Sequence, residues 1–146
     1  MQALPDAEYP VDFARTGRAQ LRNGVFEETV VPGSATKTRI MLGNQRAAGD
    51  LNGDGIPDAA VTLVANPGGS GTFTYLAAVI AQDGTAKPVA SVLLGDRIIV
   101  ESIAIESGEI IVTLLTREPD EPMAARPTVE RKRKFRLRDD RLVEKR

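Results

Sequence analysis

Cysteine, histidine and tryptophan are all absent from this chain of 146 residues. Without cysteine there are no disulfides, thiolate zinc sites or cysteine nucleophiles, and without histidine the commonest general base and commonest transition-metal ligand are gone. Any chemistry would have to run on carboxylates, lysine, serine, threonine or tyrosine, or on a hard cation held by oxygen. Two tyrosines and four phenylalanines offer a poor stacking surface for sugars or bases. No apolar run approaches the ~20 residues of a helical membrane span, and the opening Met1-Gln2-Ala3-Leu4-Pro5 lacks the basic start and apolar run of a secretory leader. The chain therefore reads as soluble, and no nucleophile with an adjacent base can be named, so it is expected not to be an enzyme.

What is present is β-forming. Helical periodicity is hard to find, while short β-branched runs separated by Gly, Asn, Asp and Pro recur throughout. The expected fold class is all-β: a single-domain antiparallel meander over residues 1–146, forming a barrel or a sandwich, with little or no helix. Residues 1–18 read as an N-terminal extended segment. Asn23-Gly24 predicts a two-residue hairpin turn between strands at 19–21 and 25–31. Residues 36–42 alternate, with Thr36, Thr38, Ile40 and Leu42 on one face. The apolar runs 59–64 and 72–81 flank Pro67-Gly68-Gly69-Ser70-Gly71 and read as a central hairpin buried on both faces. Strands at 89–94, 98–105 and 109–116 follow, then a proline-containing loop from Glu118 to Pro127.

Residues 126–146 are expected to form a basic terminal strand or hairpin turning at Asp139-Asp140. They hold ten Lys and Arg against four Asp and Glu, whereas residues 1–125 hold nine against sixteen. Glu130, Lys132, Lys134, Arg136 and Arg138 fall on one face of that strand, while Arg131 and Arg133 interrupt the apolar face of Val129, Phe135 and Leu137, so the strand is expected to be exposed over half its length, its charges protecting an open sheet edge. A basic terminus can meet nucleic acid or an anionic surface; lying across its own acidic body is the preferred expectation.

One segment carries candidate chemistry. Gly49-Asp50-Leu51-Asn52-Gly53-Asp54-Gly55-Ile56-Pro57-Asp58 places side-chain oxygens at loop positions 1, 3, 5 and 9 with glycine at position 6. Calcium takes six to eight oxygens at ~2.3–2.6 Å, and this spacing turns alternate residues inward around one centre. The candidate ligands are the side chains of Asp50, Asn52, Asp54 and Asp58 and the carbonyl of Ile56, with the Leu51 and Ile56 side chains expected to point into the core. A helix-flanked calcium hand needs a bidentate glutamate at position 12, which here is Val61 in a strand-like run. Asn, Asp and Gly also dominate ordinary turns, but four correctly phased oxygens favour the metal reading. Without the position-12 glutamate the affinity should be weak, ~10⁻⁴–10⁻³ M.

The loop resembles the aspartate-rich calcium loops of FG-GAP repeats in integrin-like propellers and of dockerin-like modules, which share Asp-x-Asx-x-Asp-Gly-x-x-Asp. The likeness covers about ten residues, and it carries over only Asp50, Asn52, Asp54, Asp58 and the Ile56 carbonyl, since a propeller needs several such loops. More widely, Gly49-Asp50-Leu51-Asn52-Gly53-Asp54-Gly55, Pro67-Gly68-Gly69-Ser70-Gly71-Thr72-Phe73 and Leu94-Gly95-Asp96-Arg97 are similar to a group of bacterial exported or lipoprotein-like β domains of unassigned activity. That resemblance implies a periplasmic or extracellular setting with a leader removed.

The remaining constellations are weaker. The turn at 67–71 lacks the Gly-Lys-Ser/Thr ending and following helix of a phosphate cradle. Asp96-Arg97 reads as a structural ion pair, and Glu101, Glu106, Glu109, Glu118 and Glu121 as solvated positions. The expected function is a non-catalytic, envelope-associated interaction or structural module with one calcium loop and an unknown protein or surface partner. The alternative, a binder of nucleic acid or an anionic surface through the basic strand, is the less favoured, with nucleic acid disfavoured by the scarcity of aromatics.

Overall fold

Two-residue turns at Asn23-Gly24, Asp83-Gly84, Ser107-Gly108 and Asp139-Asp140 organise the chain, and in each both residues have φ between 49° and 82°. Such turns match the right-handed twist of the strands they join, which is why Asn, Asp, Ser and Gly occupy them. The structure, a computed structural model, describes residues 4–30, 33, 36–69, 71–122 and 124–145. Met1, Gln2 and Ala3 of the opening segment, Val31 of the strand expected after Asn23-Gly24, Ser70 of the glycine-rich turn and the final Arg146 lie outside the described residues.

After a 3-10 turn at Leu4–Asp6, strands β1 (Glu8–Pro10) and β2 (Arg18–Gln20) pair as a small sheet. Strands β3 (Val25–Thr29), β4 (Lys37–Gly49), β5 (Asp58–Asn66), β6 (Phe73–Gln82) and β7 (Thr85–Asp96) follow as a five-stranded sheet in sequence order. Strands β8 (Ile99–Glu106), β9 (Glu109–Thr116), β10 (Val129–Arg138) and β11 (Arg141–Lys145) form a four-stranded sheet, again in sequence order. Every pairing is antiparallel, and one sheet curls into a half-barrel. The all-β meander expected from the sequence is therefore observed as stacked sheets. No described helix is long and apolar enough to cross a membrane.

The five-stranded sheet is the middle layer. Ala59, Val61, Leu63, Ala65, Tyr75, Ala77 and Val79 face a cluster completed by Leu4, Tyr9, Val11, Ala19 and Leu21. On the opposite face, Ala60, Leu76, Ala78, Ile80 and Leu94 meet Ile103, Ile110, Val112, Leu114 and Phe135 of the four-stranded sheet. Strict alternation along β5 and β6 thus feeds two cores, which explains their nearly continuous apolar sequence. The many alanines there let the neighbouring layers approach.

Several expectations need correction. The Asn23-Gly24 turn forms, with Arg22 and Val25 exchanging backbone hydrogen bonds at 2.9 and 3.1 Å, but β2 pairs with β1 and β3 with β4, so the turn changes sheets instead of closing a hairpin. Residues 1–18, as far as described, are not simply extended: they coil through the 3-10 turn and β1 and cover the middle sheet. The Tyr75 hydroxyl donates to Asp12, and the Ser91 hydroxyl to the Pro10 carbonyl, stapling this layer down. Strand β10 is no edge; it lies between β9 and β11. Arg133 there packs its guanidinium 5.3 Å from the centre of the Phe135 ring, pairs with both Glu144 oxygens at 2.8 Å and donates to the Leu94 carbonyl at 2.9 Å. The charge that interrupts the apolar face thereby ties the two large sheets together.

Candidate metal centre

Strand β4 ends at Gly49 against β8, where a Cβ would stand 2.5 Å from Ile105 Cγ2, so only glycine lets the chain leave the sheet so close to its neighbour. The acidic loop begins at the next residue. Asp50 curls the backbone around its own carboxylate: Oδ1 accepts from the amides of Asn52 at 3.2 Å and Gly53 at 2.8 Å, and Oδ2 from Gly55 at 2.9 Å. Asn52 Oδ1 receives the Asp54 amide at 3.4 Å, and Asp54 Oδ1 the Ile56 amide at 2.9 Å. Each acidic or amide side chain at 50, 52 and 54 thus caps a donor two residues ahead, and Gly53 and Gly55, both at φ 80°, permit the reversals between.

Asp58, the first residue of β5, closes the loop from the other side. Its carboxylate is 1 % exposed, with Oδ2 accepting the Leu51 amide at 2.8 Å and Oδ1 the Ala81 amide of β6 at 2.9 Å. Leu51 is buried in the second core, as expected, and anchors the loop. Ile56 is not: its side chain is 53 % exposed, because Asp58 and Leu51 already fill the loop's inner side, so the expectation of a buried Ile56 is overturned.

The geometry gathers three carboxylates. Asp50, Asp54 and Asp58 each present an oxygen, and these oxygens lie within 4.8 Å of one another. Two ligands on opposite sides of one calcium ion are separated by about 4.6–5.2 Å, so these spacings fit a shared centre. Each carboxylate has about four lone-pair positions, leaving room beside the amide contacts. Among the described residues none of the three forms an ion pair, so the loop's charge is not neutralised by a neighbouring cation at contact distance. The backbone amides, that of Gly55 foremost, hold the Asp50 carboxyl below the usual carboxylate range, with partial burial opposing them. All donors are hard oxygens, suited to calcium or magnesium and not to softer metals. Both flanks are strands and Val61 is fully buried in β5, which removes the helix-flanked hand as a description of this loop.

The topology also adds residues that the linear spacing could not show. The turns Ser107-Gly108 and Asp139-Asp140 stand opposite the loop across a cavity of about 790 Å³, whose lining includes Asp50, Arg136 and Leu137. Asp140 also borders a smaller recess of about 300 Å³ beside Asn52, Asp54 and Lys87. Asp139-Asp140 carries a turn signal in the sequence, and nothing in its local pattern places it near residue 50.

The weaker constellations resolve structurally. Asp96 Oδ1 accepts the Thr72 amide at 2.8 Å and stands 3.9 Å from Arg97 Nε, while the Arg97 amide donates to the Thr72 carbonyl at 2.7 Å. This corner moves the chain from the five-stranded to the four-stranded sheet. Glu109, expected to be solvated, is mostly buried and receives Lys145 Nζ at 3.2 Å with Arg136 at 3.8 Å. No family model, curated protein or solved structure matches the chain.

Proposed function

We propose that the chain is a non-catalytic β module whose 50–58 loop binds calcium as a structural clamp, in a periplasmic or extracellular setting where calcium is abundant. The observation that carries this reading is the convergence of Asp50, Asp54 and Asp58 oxygens within 4.8 Å. Three carboxylates so close repel by roughly 1 kcal/mol per pair even in a water-like dielectric, and a divalent ion converts that cost into attraction. Asn52 Oδ1 and the Ile56 carbonyl complete the proposed ligand set. The loop links β4 to β5 and, through Asp58, reaches β6, so ion binding there stiffens the strands that carry both cores. The absence of histidine and cysteine supports a non-enzymatic role.

The test is calorimetry with calcium after chelation. At about ten times its dissociation constant the ion should stabilise the fold by about 1.4 kcal/mol, raising Tm by about 3–6 °C for a chain of this size. Asp54→Ala, at an exposed position, should abolish that rise while leaving the chelated Tm within a degree or two of the unsubstituted protein. An unchanged Tm at millimolar calcium removes the proposal.

A further inference from the structure

The four-stranded sheet spends only one face on the core. Cross-strand register places Lys132, Lys134, Arg136 and Arg138 of β10 on its outer face, with Arg141 opposite Arg138 and Lys145 opposite Lys134 on β11. All six are exposed. Glu109 occupies Lys145 and Arg136, but no carboxylate among the described residues stands at ion-pair distance from Lys132, Lys134, Arg138 or Arg141. The other half of the face, on β9 and β8, carries the aliphatic side chains: Ile111 lies opposite Lys134, and Leu115 opposite Ile99, which is 42 % exposed, while Glu106 stands with Glu109 at the turn end and Glu130, on β10, opposite Leu115, so the six cations outnumber these three carboxylates. Val143, 47 % exposed, sits within the basic half, opposite Arg136.

We propose that this outer face docks on an anionic phospholipid bilayer. Charge complementarity names the sign of the partner, and the aliphatic component selects among anionic partners. Lysine and arginine reach the headgroups while Val143, Ile99 and the half-buried Ile111 and Leu115 meet the interfacial zone. Nucleic acid would use the cations but not the aliphatic half, and the sheet's one aromatic, Phe135, is fully buried on the opposite face and presents nothing for a base to stack on. This inference is independent of the calcium loop.

Co-sedimentation of the full chain with vesicles, in EDTA so that the acidic loop takes no part, tests it. The chain should bind phosphatidylglycerol–phosphatidylcholine vesicles, not phosphatidylcholine alone, and binding should fall steeply with salt. Each cation near the surface contributes about fivefold, so Lys132→Gln with Lys134→Gln should weaken binding about 25-fold, and adding Arg138→Gln and Arg141→Gln should extend this to several hundred-fold. No carboxylate among the described residues stands at ion-pair distance from these side chains, and only Lys134 lends its charge to Glu109, so Tm should move by no more than about a degree or two. Val143→Ser should weaken binding without altering charge, and Lys37→Gln, exposed on another sheet, should leave it intact. Equal partition onto neutral and anionic vesicles, undiminished binding by the double variant, or tighter binding to duplex DNA or RNA at matched phosphate concentration would overturn the proposal.

Discussion

Asp58 shows how one side chain can serve a fold and a candidate site together. Its two oxygens satisfy the amides of Leu51 and Ala81 in a buried setting. Losing a partner for a buried donor costs about 1–3 kcal/mol, so Asp58→Ala should lower stability by about 2–6 kcal/mol in EDTA, measured by urea denaturation. Asp54→Ala should not, which separates scaffold from ligand. Three other residues set the limits of pH stability. The Lys145 ammonium bonded to Glu109 holds that carboxyl below its ordinary range, helped by the charges of Lys145, Arg136 and Lys134 and opposed by burial. A depressed folded value means the stabilisation is present above the unfolded value of about 4.3 and is lost as pH falls through the folded one. Glu109→Gln should therefore flatten the acid limb of a plot of urea midpoint against pH. Burial pushes the Tyr9 phenol up to about 12, with Arg46 pulling the other way, and raises Tyr75 through burial and its bond to Asp12. With raised folded values, the contribution is complete below the unfolded value of about 10 and disappears as pH climbs beyond it. Tyrosinate absorbance should appear together with loss of circular dichroism, in one transition above about pH 10.

Among the elements, strand assignments were largely legible in the sequence and their partners were not. The runs at 59–64 and 109–116 lie within β5 and β9, and 72–81 matches β6 from Phe73 on, because β-branched residues, alternation and turn dipeptides act locally. Asn23-Gly24 also declares itself locally, yet whether the following strand folds back on β2 or departs for another sheet depends on what the rest of the chain provides. The same holds for β10, whose charges read as edge protection although the strand lies between β9 and β11, with Arg133 bridging to the Leu94 carbonyl of β7. Strand β4 is legible only in its first half: its pattern is broken by a bulge between Leu42 and Arg46, and the continuation to Gly49 rests on pairing with β5. The loop's oxygen phasing was legible because it is a local spacing; Ile56's exposure and the approach of Asp139-Asp140 were not, because they depend on how sheets stack. Gly49 tests that stacking. Gly49→Ala would drive a methyl against Ile105, at an expected cost of about 1–3 kcal/mol in urea denaturation. Adding Ile105→Ala should cost less than the two single changes summed, since the second opens room for the first.

At the scale of the whole molecule, two cores share one wall, and β5 and β6 are that wall. Hydrogen exchange should be slowest in β5 and β6 and fastest in β11, which pairs on one side only and is mostly exposed. Phe135→Ala, emptying the largest aromatic of the second core, should cost about 3–5 kcal/mol in urea denaturation. The layer built from residues 4–21 has a further consequence for synthesis. Its seat is the middle sheet, and its staple to Ser91 belongs to β7, so residues 4–21 have no complete platform until the chain has been made through Ser91. Synthesis thus runs opposite to assembly: the β1–β2 pair must wait with its apolar side uncovered, and docks as the lid on a finished sheet.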